Sequence, residues 1–300
     1  REKLRYFSPM STKVWLVTLI GLSLILTLDF LMAIKNRNKR TSLGAATTWT
    51  LFYVSLAIIF GFSLGLWRDV HTQSSFFAGW ITEYSLSFDN LFVFILILAK
   101  LKISKEREEL VLLIGILLSL ILRGIFIWIG TELINRWSWI FFVFGAFLIY
   151  TAIQLIRESE EEEWEEGKFI AYVRSKGASI FTVACVAIAI TNVLFAFDSI
   201  PAIFGLTKDF YVIITANLFA MMGLRQLYFL IGGLMKRLIY LTEGLAIILI
   251  FIGVKLILEA GHGQGWSVPE ISIQASLSFI IFVILFTTII SLVKSKGKQE

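Results

Sequence analysis

The chain has 300 residues, of which 57% are hydrophobic and only 16% are charged, and its mean hydropathy is +0.82. Soluble domains carry roughly 25% charged residues, so this composition excludes a soluble globular protein and indicates several membrane crossings. The net charge of +5 and the pI near 9.2 reflect basic loops between apolar segments, so they do not indicate a nucleic-acid partner.

Nine apolar runs follow one another along the chain, each near the roughly 20 residues that a helix needs to cross a bilayer. They lie at 14–34, 45–66, 76–99, 110–131, 138–156, 179–206, 211–235, 239–258 and 271–293. Strands of a membrane barrel would be about ten residues long with alternating polarity. The sequence therefore predicts an all-α, polytopic membrane bundle of about nine helices, spans 1 to 9, forming a single transmembrane domain over 1–300.

Basic residues are distributed unevenly among the loops. Loops after spans 1, 3, 5 and 7 and the C-terminal tail hold 17 Lys and Arg residues, against 3 in the loops after spans 2, 4, 6 and 8. Short cytoplasmic loops carry the basic excess. We therefore expect a multi-pass protein of the cell membrane with its N-terminus outside and its C-terminus in the cytoplasm, although the N-terminal segment, with four basic residues, disagrees.

Spans 3 and 6 bury acids within apolar sequence in matching frames. Span 3 contains Glu83 and, six residues later, Asp89 followed by Asn90. Span 6 contains Asn192 and, six residues later, Asp198 followed by Ser199. An Asp at a helix centre costs roughly 2.5 to 3.5 kcal/mol on insertion scales, whereas each Leu, Ile, Phe or Val contributes only about −0.3 to −0.6 kcal/mol. The default hypothesis is therefore an intramembrane polar site.

Spans 3–5, at about 76–156, resemble spans 6–8, at about 179–258. Asp89 aligns with Asp198, Arg123 with Arg225, and Gly145 in span 5 with the glycine of IFIGVKL in span 8. Three helices per unit is an odd number, so the second unit would enter the membrane from the opposite side. An inverted repeat of this kind places corresponding residues near the middle of the bilayer. The helix at 271–293 follows the second unit.

The segment between the two units, 157–178, is predicted to be a cytosolic loop that contains the strongly acidic stretch from Glu158 to Glu166. A solvated loop is one interpretation, and an antenna for divalent cations is the other. In span 6, Pro201 either unwinds the turn that contains Asp198 or ends the helix before Gly205. The single cysteine, Cys185, excludes an intrachain disulfide.

The polar residues predicted within the membrane offer oxygen ligands. Carboxylate, amide and hydroxyl oxygens suit Mn²⁺, Mg²⁺ and Ca²⁺, whereas Zn²⁺ and copper favour imidazole and thiolate. Glu83, Ser87 and Asn90 share one helix face, but Asp89 lies about 120° from Glu83 on an ideal helix. A site that uses both acids therefore needs a break or a groove between helices.

Two arginines allow a different interpretation of the same acids. Arg123 and Arg225 would pair with Asp198 and Asp89 as fixed ion pairs that hold the bundle together. Alternatively, each arginine neutralises an empty acidic site and releases it when a cation or proton binds. The sequence leaves both roles open.

The chain resembles the TerC/Alx family of integral membrane proteins from about Leu28 to Leu258. The resemblance rests on long motifs in fixed order: EYSLSFDNLFVF, LRGIFI, FGAFLIYTA, FAFDSIPAIFGLT, TANLFAMMGLRQLYFL and GLAIILIFIGVKLIL. Members are implicated in metal homeostasis and manganese efflux, and the family name comes from a tellurite-resistance operon. The resemblance implies that the metal path is lined by Glu83, Asp89, Asn90, Asp198 and Ser199. Members often carry Asp at position 192 and Glu at 189, where this chain has Asn192 and Ala189, so its affinity or ion choice need not match theirs.

The resulting expectation is a transporter, not an enzyme, that exports Mn²⁺ or a similar hard cation against protons. The cation is cargo, and no cofactor is expected. The alternative is a membrane-embedded assembly or stress-resistance factor whose acids are structural. Direct export of tellurite is a third hypothesis. Tellurite is an oxyanion, and a carboxylate-rich site repels it unless Arg123 and Arg225 face the cavity. The sequence does not give the oligomeric state.

Overall fold

The computed structural model describes residues 11–36, 43–137, 139–158, 168–234 and 240–296. Within these ranges the chain forms helices and no strand, which confirms the predicted all-α class. The helices are α1 (Thr12–Asn36), α2 (Leu43–Trp67), α3 (Val70–Lys100), α4 (Lys105–Arg136), α5 (Ile140–Glu158), α6 (Lys168–Ser175), α7 (Ile180–Phe204), α8 (Phe210–Met221), α9 (Leu224–Leu234), α10 (Leu241–Gly263) and α11 (Ile273–Lys296).

Seven of the described helices are long and apolar enough to cross a membrane: α1, α2, α4, α5, α7, α10 and α11. Helix α3 has 31 residues but carries the acids of span 3. Span 7 is divided into α8, of 12 residues, and α9, of 11 residues. The count of nine crossings includes α3 and the α8–α9 pair as spans, and it stays a prediction.

The surface of the bundle is apolar and its interior holds charge. Leu66, Trp128 and Val293 expose 90%, 67% and 68% of their surface, while Glu83 and Arg123 are buried. Water would disfavour so much exposed apolar surface, and lipid tails accept it. This distribution agrees with a protein that spans a membrane several times.

Helix α3 lies at the centre of the bundle. It packs against α2, α7, α8, α9 and α11, while α4 packs on α7 and α5 on α10. Helix α1 lies at the edge, where the Thr18 and Tyr211 hydroxyls are 2.8 Å apart and Gln226 Nε2 donates to Asp29 Oδ1 at 2.8 Å. The central position of α3 brings its polar residues into contact with both predicted units.

Helices α5 and α10 cross at a reciprocal pair of glycines. A Cβ at Gly145 would lie 2.6 Å from the Gly253 carbonyl oxygen, and a Cβ at Gly253 would lie 2.8 Å from the Gly145 carbonyl oxygen. Each glycine also meets the isoleucine four residues after its partner, Ile257 or Ile149. Two residues aligned by the predicted repeat thus make equivalent contacts, as a pseudo-twofold axis would require. The inverted orientation in a membrane stays a prediction.

Pro201 and Gly223 settle where the helices of the second unit end. Pro201 lies in the last turn of α7, and its carbonyl accepts the Gly205 N–H at 3.0 Å. The helix therefore ends after Pro201 and does not unwind at position 198. The break comes instead between α8 and α9, where Gly223 has φ +80° and a Cβ would lie 2.9 Å from the Tyr53 ring.

The predicted loop 157–178 contains the short helix α6, whose Ile170 is buried while Tyr172 is exposed. The acidic stretch after Glu158 falls on residues 159–167, outside the described residues, so neither interpretation of it is tested.

Candidate functional site

A buried ion pair joins α3 to α4 in the middle of the bundle. Arg123 Nη1 donates to Glu83 Oε2, and the two side chains are 3% and 0% exposed. The same Nη1 donates to Asn217 Oδ1 on α8 at 3.1 Å. Three helices therefore meet at one guanidinium, a contact that the sequence did not predict. The side chain of Asp198, the expected partner of Arg123, lies outside the described residues.

The pair leaves hydrogen-bonding capacity unused. Within the described ranges, Glu83 Oε1 and Arg123 Nη2 are buried without a partner. A guanidinium and a carboxylate frequently form two parallel hydrogen bonds, and a buried polar atom without a partner costs roughly 1 to 3 kcal/mol. The described residues therefore leave the Glu83–Arg123 pair incompletely hydrogen-bonded.

Helix α3 presents a row of buried polar atoms on either side of Glu83. Ser75, Gly79, Glu83 and Ser87 follow at four-residue spacing, which places them along one slowly winding stripe of the helix. The hydroxyls of Ser75 and Ser87 have no partner among the described side chains or backbone. By contrast, Ser85 donates to its own helix, to the Ile81 carbonyl at 2.8 Å. The side-chain oxygens of the stripe are therefore about 12 Å apart between Ser75 and Glu83 and about 6 Å apart between Glu83 and Ser87.

The Thr82 hydroxyl, next to Glu83, is also buried without a partner in the described part of the chain. Gly79 has no side chain, and a Cβ there would contact Ala216 and Ile203 at 3.4 Å. Helices α7 and α8 therefore approach α3 to within van der Waals distance of this position.

A cavity of about 10 Å³ lies one turn beyond Glu83, at the break between α8 and α9. Ser87, Ser119, Arg123 and Asn192 line it together with apolar residues that include Met221 and Leu224. Its volume is about that of one water molecule. The polar residues of α3, α4 and α7 thus meet where the α8 backbone departs from helical geometry.

Asn192 and Ser199 come from α7. Asn192 is 3% exposed, and its Nδ2 donates to the Gly115 carbonyl on α4 at 2.8 Å. The Ser199 hydroxyl is 1% exposed and has no partner in the described ranges. Asn192 therefore ties α7 to α4 and lines the small cavity, while Ser199 holds a free oxygen.

For the remaining predicted site residues, the structure describes the backbone but not the side chain. Positions 89 and 90 belong to α3, 198 to α7 and 225 to α9, but the side chains of Asp89, Asn90, Asp198 and Arg225 lie outside the described residues. Helix α3 is continuous, so positions 83 and 89 lie about 120° apart around its axis. Within the described side chains, no group of three His, Cys, Asp or Glu residues is arranged to hold a metal ion.

A second, much larger cavity of about 650 Å³ opens beside the first turn of α3. We call it the vestibule, and it is bounded by the α2–α3, α7–α8 and α10–α11 loops, with Arg68, Ser75, Lys208, Lys255, Glu259 and Ser272 among its lining residues. Ion pairs cross it from Arg68 to Asp209 at 2.9 Å and from Lys208 to Glu259 at 2.6 Å. Ser75 lies eight residues, or about 12 Å, along α3 from Glu83, so the stripe begins in the vestibule.

The sequence places Asn217 among the oxygen donors of the membrane spans but does not predict its contact with Arg123, and it does not predict the vestibule. Asn217 was visible as a polar residue within span 7, eight residues before the arginine that the repeat aligned. The vestibule carried no local signal, because three loops that are distant in the sequence form it. Both histidines, His71 and His262, line it.

The fold and the buried charges define the chain as a polytopic helical membrane protein with a charged centre. Residues 68–299 match the family described as Integral membrane protein TerC family, and the chain belongs to that family. An uncharacterised membrane protein of Mycobacterium tuberculosis is 36% identical over 321 positions, which cover 96% of this chain and 81% of that protein.

Two further relatives are named Alx and described as membrane-bound redox modulators. The Escherichia coli K12 protein is 30% identical over 302 positions, covering 91% of this chain and 92% of the relative. The Salmonella typhi protein is 30% identical over 298 positions, covering 89% and 90%. No solved structure matches the chain.

Proposed function

We propose that this chain is a secondary transporter that exports Mn²⁺ or a similar hard divalent cation through the centre of the bundle. The observation that carries the proposal is the stripe on α3, where buried oxygens without partners run from Ser75 in the vestibule through Glu83 to Ser87. Unsatisfied buried oxygens are costly, and a cation that passes along them supplies the missing partner.

Arg123 acts in this proposal as a tethered counter-charge. When Glu83 holds no cation, the guanidinium neutralises the carboxylate, which would otherwise be an uncompensated buried charge. An arriving divalent cation competes with the guanidinium for Glu83. The displaced Arg123 then still has Asn217 Oδ1 as a hydrogen-bond acceptor. A proton on Glu83 would release Arg123 in the same way, so protons are the candidate coupling ion.

The ion class follows from the ligand types. The described polar groups of the stripe are carboxylate and hydroxyl oxygens, which suit Mn²⁺ better than Zn²⁺ because selectivity depends on ligand type and geometry. Within the hard cations, the resemblance to members implicated in manganese efflux selects Mn²⁺. Competition binding on the purified protein should show preference for Mn²⁺, and tight Zn²⁺ binding that survives Glu83→Gln would contradict the assignment.

Passage of an ion requires the helices to move. The cavity beside Arg123 has a volume of about 10 Å³, which accommodates one water molecule but not a hydrated divalent cation. Broken helices mark the sites of secondary transporters. The α8–α9 break at Gly223 lies beside this cavity, so we assign the gating movement to this pair of helices.

The vestibule is assigned to the outer side of the membrane. The three loops that border it belong to the set with few basic residues, whereas the basic loops lie at the opposite end. This orientation gives an outside N-terminus and a cytoplasmic C-terminus. A reporter fused at Glu162 should therefore report cytoplasm, and an external signal would reverse the direction of the pathway.

Two other roles are weaker. A dithiol redox function, which the name of the Alx relatives would suggest, needs two cysteines, and this chain carries only Cys185. An assembly factor with structural acids would be expected to satisfy its buried pair fully, unlike Glu83 and Arg123. We propose no catalytic activity.

The deciding experiment is manganese efflux from cells that express Glu83→Gln. The variant should accumulate Mn²⁺ as cells without the gene do, because the amide keeps the shape of the side chain but loses its charge. Glu132→Gln is the matched control, since Glu132 is half exposed and pairs with Arg136 on the same α4 helix. Normal efflux by Glu83→Gln, at normal abundance, would refute the proposed site.

A further inference from the structure

Lys255 on α10 is a buried cation that has no carboxylate partner among the described residues. Its side chain lines the vestibule, the residue is only 9% exposed, and its Nζ donates to Ser276 Oγ at 3.2 Å. It forms no ion pair with a carboxylate in the described ranges. An ammonium has three donors, so one neutral hydroxyl leaves most of its capacity unused.

The carboxylates around the vestibule are already engaged elsewhere. Asp209 pairs with Arg68, and Glu259, one turn after Lys255, pairs with Lys208 at 2.6 Å. Asp69 accepts two hydrogen bonds from Thr72. Glu270 lies 3.0 Å from His262 and is 76% exposed. Among the described residues, Lys255 is therefore a buried cation of the vestibule that forms no ion pair with a carboxylate.

Lys255 contacts the N-terminal turn of α11, which adds to the positive electrostatic potential around the ammonium group. Ser276 lies in the first turn of α11, and no acidic residue occurs in that turn. The N-terminus of a helix carries about half a positive charge and exposes backbone N–H groups. Ser272 Oγ accepts one of these, from Ala275 at 3.2 Å. The ammonium and the helix terminus therefore reinforce each other in a place where an anion would be stabilised.

We infer that the vestibule binds a small inorganic anion between Lys255 and the N-terminus of α11. The anion completes the hydrogen bonds of the ammonium and reduces the positive potential that an exported divalent cation would otherwise meet at Lys255. Ser75, a residue that is 1% exposed and whose hydroxyl has no partner in the described part of the chain, also lines the vestibule. This inference does not require that the protein transports metal.

The test measures thermal melting of the purified full chain in detergent, followed by tryptophan fluorescence. Sodium chloride and sodium phosphate are each titrated against sodium gluconate at constant ionic strength. Both small anions should raise the melting temperature of the wild-type protein in a saturable manner, because a ligand that binds only the folded state stabilises it. A wild-type melting temperature that is independent of the anion would overturn the inference.

Variants assign the effect to the site. Lys255→Gln should weaken the apparent anion affinity at least about tenfold, the loss expected for one charge-assisted hydrogen bond. Lys294→Gln, at the other end of α11, changes the net charge equally and should retain the wild-type response. An unchanged response in Lys255→Gln would show that the anion binds elsewhere.

A second variant covers the case in which Lys255→Gln does not fold. Ser276→Ala removes the acceptor of Lys255 Nζ but keeps the charge, so the protein should depend more strongly on the anion and melt at a lower temperature in gluconate. If Ser276→Ala lowers the melting temperature by the same amount in chloride, phosphate and gluconate, the inferred site is wrong.

Discussion

The Glu83–Arg123 pair predicts strong coupling between two positions that are 40 residues apart in the chain. Both side chains are fully buried, so solvent does not screen their interaction. Removal of one partner from a buried ion pair costs about 3 to 5 kcal/mol, because the other charge is left uncompensated. The cost of Glu83→Gln should lie at the lower end of this range, since Arg123 keeps Asn217 as a hydrogen-bond acceptor. The cost of Arg123→Gln should lie at the upper end of the range, since the Glu83 carboxylate loses its cation.

The double variant distinguishes coupling from two independent losses. Two glutamines can hydrogen-bond to each other without burying charge, so the double variant should be more stable than Arg123→Gln alone, with a coupling energy of at least about 2 kcal/mol. With an unfolding entropy of about 2.1 cal/mol/K per residue, a loss of 3 to 5 kcal/mol over a chain of this length lowers the melting temperature by about 5 to 8 °C.

Thermal melting of the four purified proteins in one detergent gives the complete cycle. Losses that simply add in the double variant would show that Glu83 and Arg123 do not interact, and the tethered counter-charge would have to be abandoned.

Two further predictions concern the frame around the site. Gly145→Ala should destabilise the protein, because the new Cβ would meet the Gly253 carbonyl oxygen at 2.6 Å, whereas Gly124→Ala, with nothing within 4 Å, should not; equal melting temperatures would exclude the close helix crossing. At the start of α3, burial alone would raise the pKa of Asp69, but the hydrogen bonds from the Thr72 N–H and hydroxyl lower it below its usual value of 3.8. The stabilisation by Asp69 is therefore present above that pH and is lost as the pH falls through the lower folded pKa. Asp69→Asn keeps a cap and should remove this part of the acid sensitivity in melting curves, while Asp69→Ala should cost about 1 kcal/mol at neutral pH; an unchanged acid profile in Asp69→Asn would contradict the assigned shift.

The sequence predicted the helical class and placed Glu83 and Arg123 within membrane-spanning segments, because apolar run length and the insertion cost of charge are local properties. It did not predict the contact between Glu83 and Arg123, since alignment of repeats shows which residues correspond and not which ones touch. The contact with Glu83 depends on how α3 and α4 are rotated about their axes.

The break at Gly223 was also missed. Average hydropathy does not distinguish a continuous apolar helix from two short ones, and glycine within a membrane segment is common. The positive φ of Gly223 and its contact with Tyr53 become visible only when α2 packs against α9. The vestibule was unpredictable for a similar reason, because its lining comes from loops that are far apart in the chain.

The most direct test of the proposed function is Mn²⁺ transport by the purified protein in liposomes that contain a manganese-sensitive dye. An imposed proton gradient should drive Mn²⁺ across the membrane in liposomes that contain the wild-type protein. Liposomes that contain correctly folded Glu83→Gln should show only the leak of empty liposomes. Absence of transport by the wild-type protein with either gradient direction, or equal transport by Glu83→Gln, would contradict a cation path through Glu83.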